Sequence, residues 1–164
     1  MVFALVALPI ALPILPESTM LGHNLDKVRD DYSAELGWPD VVATIAHAYA
    51  QVPAGERSQA LIVTENYSQA SAVDLLGGRF GLPHALSGHN SFWLWLPPRA
   101  SIATVLAVGF TPAQLGHCFA QVEPLGRVPD RRTIDVEERG ASLYLCHRPL
   151  VTTKQPWAAI KSFS

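Results

Sequence analysis

Two short polar clusters hold most of the side chains in this chain that could do chemistry. The first is Glu65, Asn66, Tyr67 and Ser68, directly after an apolar run at 60–64. The second is Ser87, Gly88, His89, Asn90 and Ser91, followed by Trp93 and Trp95. A carboxylate, carboxamides and an imidazole can exchange hydrogen bonds with sugar hydroxyls, and backbone N–H groups at a helix start can meet an anion. Tryptophan faces stack on sugar rings or lipid headgroups. Each feature also has a plainer use. Glu65 and Asn66 suit a helix cap, and His89 can bond loop backbone alone. Trp93 and Trp95, with Phe92 and Leu94 beside them, equally suit a core or a membrane surface.

Catalytic templates fail against the same residues. Neither G-x-G-x-x-G after a strand nor G-x-x-x-x-G-K-[ST] occurs, so the usual nucleotide-binding fingerprints are missing. Ser87, His89 and Asp74 are the right types for a triad. There is no G-x-S-x-G elbow, however, and Ser and His two residues apart rarely face each other productively. His84 and His89 lack a nearby third ligand for zinc. The clusters therefore read as binding residues, with no catalytic set, no metal site and no cofactor.

The elements that must position these clusters follow from periodicity. Pro39 opens an apolar-periodic stretch with Val41, Val42, Ile45, Ala46, Tyr49 and Ala50, a helix ending near Pro53. The short apolar run 60–64 reads as a fully buried, parallel strand. A helix over 67–80 follows, with Gly77, Gly78 and Gly81 closing it. A second strand is expected near 84–87, then a loop over 88–99 and a third strand over 101–108. Thr111 caps a short helix with Pro112 at its first position, ending near Cys118. Strands over 119–128 and 142–147 and a closing helix over 157–163 complete the chain. The alternation predicts an α/β fold in three layers, with a mainly parallel sheet, flanking helices and an antiparallel edge at the carboxy terminus.

At 164 residues the chain suits one domain, expected over 38–164, with a polar connector over 17–37 that includes one short helix. Apolar residues make up 49% and charged residues 16%, on the greasy side of the globular average. The net charge is -2 and the Lys and Arg residues are scattered, which excludes a nucleic-acid footprint. Much of the apolar excess lies in residues 1–16. That segment is too short to cross a bilayer, is interrupted by Pro9 and Pro13, and lacks the charged start and small-residue end of a secretory signal. It reads as the outer end of a membrane helix whose beginning is missing, or as an apolar arm packed on the domain. Cys118 and Cys146 are too far apart in sequence for a CxxC motif. They are two buried free thiols, or one bridge if the domain faces an oxidising compartment.

The stretch from Thr64 to Pro97 resembles the carboxy-terminal region of bacterial membrane glycosyltransferases of the dolichyl-phosphate-mannose protein mannosyltransferase superfamily. The resemblance rests on Glu65-Asn66-Tyr67, Ala70, Ala72, Asp74, Gly81-Leu82-Pro83, Ser87-Gly88-His89-Asn90 and Trp93-Leu94-Trp95. Ser68 and Ser71 stand where glycine is common in that family, and Leu96 precedes Pro97. In the family a multi-helix membrane region carries the catalytic carboxylate and uses a polyprenyl-phosphate-linked sugar. The resemblance thus implies an accessory domain on the extracytoplasmic, periplasmic face, attached to the membrane region of its parent transferase and inactive alone. It would bind a glycan or protein acceptor, or the polyprenyl-phosphate sugar headgroup, through Glu65, Asn66, Tyr67, Ser87, His89, Asn90, Trp93 and Trp95. The alternative expectation is a free-standing α/β domain that binds or hydrolyses a small ligand.

Overall fold

The computed structural model of the protein describes residues 8, 15–24, 36–95, 102–131 and 138–150. Its helices are α1 (Glu17–Gly22), α2 (Trp38–Ala50), α3 (Ala54–Arg57), α4 (Tyr67–Leu76) and α5 (Pro112–Gly116). The strands are β1 (Leu61–Thr64), β2 (Ala85–Ser87), β3 (Thr104–Val108), β4 (Phe119–Arg127) and β5 (Ser142–Pro149). Two 3-10 helices, Gly77–Phe80 and Asn90–Trp95, extend α4 and follow β2. The strands form one sheet in the order β2-β1-β3-β5-β4. β1 pairs in parallel with both β2 and β3, and β5 runs antiparallel between β3 and β4. The fold is mixed α/β, parallel at one side of the sheet and antiparallel at the carboxy-terminal edge, as the sequence predicts.

Alternation along the strands sends side chains to two separate apolar layers. Ile62, Ala85, Leu106, Val108, Leu143 and Leu145 pack on one face against Val41, Ile45, Ala48, Tyr49 and Val52 of α2 and its end, and Ala70 and Val73 of α4. Val63, Leu86, Val105, Ala107, Tyr144 and Cys146 pack on the other against Phe110, Leu115, Cys118 and Phe119. Residues on both faces of β3 are therefore buried, which is why its sequence is a continuous apolar run. β4 is the exposed edge. It carries Pro124, and its register with β5 shifts between Pro124 and Gly126, two features that discourage further strand pairing.

Local chemistry fixes the ends of the elements. The α5 start is a full capping box: Thr111 accepts from the Gln114 backbone N–H, and the Gln114 side chain accepts from the Thr111 backbone. The structure trims several expectations. The helix over 67–80 is α-helical only to Leu76, the loop after β2 contains a 3-10 turn, and the third strand begins at Thr104. The connector over 17–37 contributes α1, and Met20 within it is buried. The expected helix over 157–163 lies outside the described residues, as do residues 1–7 and 9–14 of the apolar start. Among the described residues no helix is long and apolar enough to cross a membrane.

Candidate functional site

Parallel pairing places the two polar clusters at one edge of the sheet. Thr64, the last residue of β1, is in register with Ser87 of β2 on one side and Val108 of β3 on the other. The loops that leave all three strands are therefore neighbours, and β1 is the strand at which the chain order reverses. That position is the usual ligand crevice of an open α/β sheet. The Glu65 backbone N–H donates to the Val108 carbonyl at 2.9 Å. The Ser87 hydroxyl donates to the Glu65 carbonyl at 3.5 Å and accepts from the His89 backbone N–H at 3.2 Å. The Tyr67 and His89 rings meet edge to face, with centroids 5.1 Å apart and planes at 68°.

Beneath that contact lies a polar group drawn from far along the chain. Asn66 is the N-cap of α4, its side-chain oxygen accepting the Gln69 backbone N–H at 2.9 Å. Its amide nitrogen donates to Glu138 Oε1 at 2.9 Å, and Gln69 Nε2 donates to Glu138 Oε2 at 2.5 Å. Glu138 is 2% exposed and Gln69 is 1% exposed. With Nε2 committed to the carboxylate, Gln69 Oε1 is a buried acceptor without a hydrogen-bond donor. Gly109, at φ 91°, closes the back of the site. A Cβ there would stand 2.9 Å from Glu65 Cβ and 3.1 Å from both Glu65 Oε2 and Gln69 Nε2. The glycine is required by backbone angle and by close approach together.

The sequence-named residues divide by what they face. Glu65 is exposed, Tyr67 is 45% exposed, and His89 and Asn90 are half-buried. Ser87 is wholly buried, and its hydroxyl joins the two loops instead of facing solvent. Asn66 likewise is engaged on both sides as cap and as Glu138 partner. Asn90 has φ 53°, a left-handed angle that asparagine tolerates better than most residues. Trp93 packs on the second apolar layer, whereas Trp95 is 63% exposed with one side against Phe92. Asp74 belongs elsewhere. Its carboxylate accepts the Ala85 backbone N–H at 2.8 Å and lies 3.4 Å from His84 Nδ1, so it pins the start of β2.

Sequence reasoning missed Gln69, Glu138 and Gly109. The Asn66-x-x-Gln69 spacing has the form of a capping box and was a usable signal for Gln69. Nothing local marks Glu138.

A second polar group, also missed, lies at the opposite edge of β3. Glu56 Oε2 accepts from the Thr104 hydroxyl at 2.6 Å and lies 2.9 Å from His147 Nε2. The hydrogen bonds from Thr104 and His147 hold the Glu56 carboxyl below its ordinary range. A cavity of about 470 Å³ opens here, lined by Glu56, Ala103, Thr104, Gln121, His147 and Arg148. His147 Nδ1 is buried and without a partner, so the nitrogen a base would use is turned away from solvent. The group fastens α3 to β3 and β5. Cys118 and Cys146 are free and buried. Burial and the neighbouring Cys118 push the Cys146 thiol up to about 12. Among the described residues no cluster of three His, Cys, Asp or Glu has the arrangement of a metal site. Comparison with protein-family models, with curated proteins and with solved structures finds no match to this chain, so the functional reading is argued from its residues and their geometry.

Proposed function

We propose that this chain is an extracytoplasmic accessory domain of a polyprenyl-phosphate-sugar-dependent membrane glycosyltransferase, and that it binds a glycosyl ligand at the carboxyl edge of its sheet. The reading joins the sequence resemblance over Thr64 to Pro97 to one geometric observation: Tyr67, from the first cluster, and His89, from the second, meet edge to face where the loops after β1 and β2 lie side by side. Glu65 stands exposed beside them, and Trp95, six residues beyond His89 at the end of the 3-10 helix, is 63% exposed. A carboxylate, an imidazole and aromatic rings at one sheet edge suit sugar hydroxyls and ring faces. Ser87 and Asn66 hold the loops in place and do not touch the ligand. Transfer chemistry belongs to the membrane region of the parent enzyme.

The test is to incubate the full chain with a polyprenyl-phosphate hexose in detergent micelles and with short glycan acceptors, following backbone amide resonances and product formation. Saturable shifts at Tyr67, His89 and Asn90 without turnover are expected. Sugar release or transfer that disappears in Glu65→Gln or His89→Ala would overturn the accessory role in favour of a free-standing enzyme. Absence of shifts with every ligand would remove the binding role.

A further inference from the structure

We infer that the cavity at the amino end of β3 binds a small zwitterion, a ligand with one ammonium and one carboxylate, at a site separate from the sheet edge that carries Tyr67 and His89. In register across the sheet, Thr104 of β3 stands opposite His147 of β5, and His147 stands opposite Gln121 of β4. Glu56 of α3 bonds both Thr104 and His147. Consecutive residues of a regular strand face opposite sides of a sheet, yet Arg148 lines the same cavity of about 470 Å³ as His147. The alternation breaks at Arg148 itself, whose φ is 55°. Among the described residues the other non-glycine residues at positive φ are Asn24 and Asn90, and a short polar side chain eases that angle in asparagine. Arginine has no such help, and the following Pro149 restricts it further. Backbone strain of this kind persists only where the surroundings impose it, and it gathers at binding sites.

Two opposite charges therefore share the cavity without neutralising each other. Glu56 Oε2 is held by the Thr104 hydroxyl at 2.6 Å and by His147 Nε2 at 2.9 Å, while Oε1 has no hydrogen bond among the described residues and the side chain is 44% exposed. Arg148 is exposed, and among the described residues its guanidinium has no ion pair and no hydrogen bond. The exposed Gln121 carboxamide is likewise without a partner among them. An anion alone would meet Arg148 but also Glu56, and a cation alone would meet the reverse. A ligand with both charges satisfies each pole. Its ammonium donates to Glu56 Oε1, and its carboxylate accepts from the Arg148 fork and the Gln121 amide. One guanidinium matches one carboxylate, whereas a phosphate monoester would bring close to two negative charges beside Glu56. The cavity, at about 470 Å³, is of the size of small-ligand clefts.

Backbone amide shifts of the full chain test this with glycine, β-alanine, γ-aminobutyrate and ε-aminocaproate, which step the distance between the two charges. Acetate and methylammonium are the single-charge controls. At least one zwitterion should shift Glu56, Gln121, His147 and Arg148 saturably and bind about tenfold more tightly than either control, as expected when one of two charge-assisted contacts is missing. Arg148→Gly suits the left-handed angle, so it should keep or raise the midpoint of urea unfolding while weakening that zwitterion about tenfold or more. Glu56→Gln should weaken it as well, by removing the pole that holds the ammonium. Acetate or methylammonium binding as tightly as the best zwitterion would overturn the inference, since one charge would then suffice. Unchanged affinity in Arg148→Gly, movement at Tyr67 and His89 in place of the cavity residues, or silence with every zwitterion would also overturn it.

Discussion

Asn66→Asp is the substitution that best separates the two jobs of the residue at the start of α4. As a cap alone the change is harmless: Asp and Asn rank together, and added negative charge in a first turn contributes ~0.3–1 kcal/mol of stability. The contact with Glu138 reverses the sign. Asn66 Nδ2 donates to Glu138 Oε1 at 2.9 Å, and in the variant an oxygen replaces that nitrogen. Losing a hydrogen bond to a charged acceptor costs ~1.5–3 kcal/mol, and two unit charges ~4 Å apart repel by ~4 kcal/mol at an effective dielectric constant of ~20. Some rotation of the new side chain will part the charges, so a net loss of about 3–5 kcal/mol is expected at pH 7. Against a typical domain stability of about 5–15 kcal/mol that is plain in urea unfolding. Asn66→Ser is the control, since it keeps the cap, removes the donor and adds no charge, and should lose about 1–2 kcal/mol. The order at pH 7 is then wild type, Ser, Asp. Lowering the pH to 5 should narrow the gap between Ser and Asp. Like charges raise the folded-state titration of the carboxylate pair, so the penalty is present above that range and lost as a proton binds below it. An Asp variant as stable as the Ser variant at pH 7 would refute the Asn66–Glu138 pairing.

Three further outcomes follow from other parts of the fold. Gly109→Ala combines a left-handed φ of 91° with contacts of 2.9 Å to Glu65 and 3.1 Å to Gln69; urea unfolding should show a loss of about 2–4 kcal/mol, against near neutrality for Gly78→Ala, which meets open space. Glu56 is held below its ordinary 4.5 by Thr104 and His147, so its contribution to stability is present above pH ~4.5 and is lost as pH falls through the lower folded value. Glu56→Gln should flatten the thermal-melting slope in that acid window, and an unchanged slope would count against the contact. Cys146, with its thiol pushed up to about 12 and no exposed surface, should resist iodoacetamide at pH 8 in the folded protein and react readily in urea.

The sheet and its main helices were legible because their signals are local. The apolar run before Glu65 reads as a buried strand and is one, and Thr111 with Pro112 marks a helix start that the structure shows as a capping box completed by Gln114. The parallel pairing that the alternation of strands and helices predicts brings Glu65 and His89 to one edge. The same logic could not reach Glu138, which lies 72 residues beyond Asn66 and enters the site from the segment before β5. Nor could it reach the pairing of Glu56 with His147, 91 residues apart. Both depend on register across the antiparallel edge, where one residue of slip would turn each side chain to the other face. A sequence read in windows carries no term for such contacts.

The exposure of each residue also answers a question that residue type left open, namely which members of a polar cluster are structural. Asn66, Ser87 and Glu138 have the chemistry of ligand-binding groups, yet their polar atoms are turned on one another and on the backbone, and Ser87 is 0% exposed. Glu65, Tyr67 and Trp95 face outward. These bonds hold the loops after β1 and β2 in the geometry that presents the outward residues. Substituting an inward residue should therefore perturb binding and stability together. Substituting an outward one should perturb binding alone, and that difference separates scaffold from contact surface at this edge of the sheet.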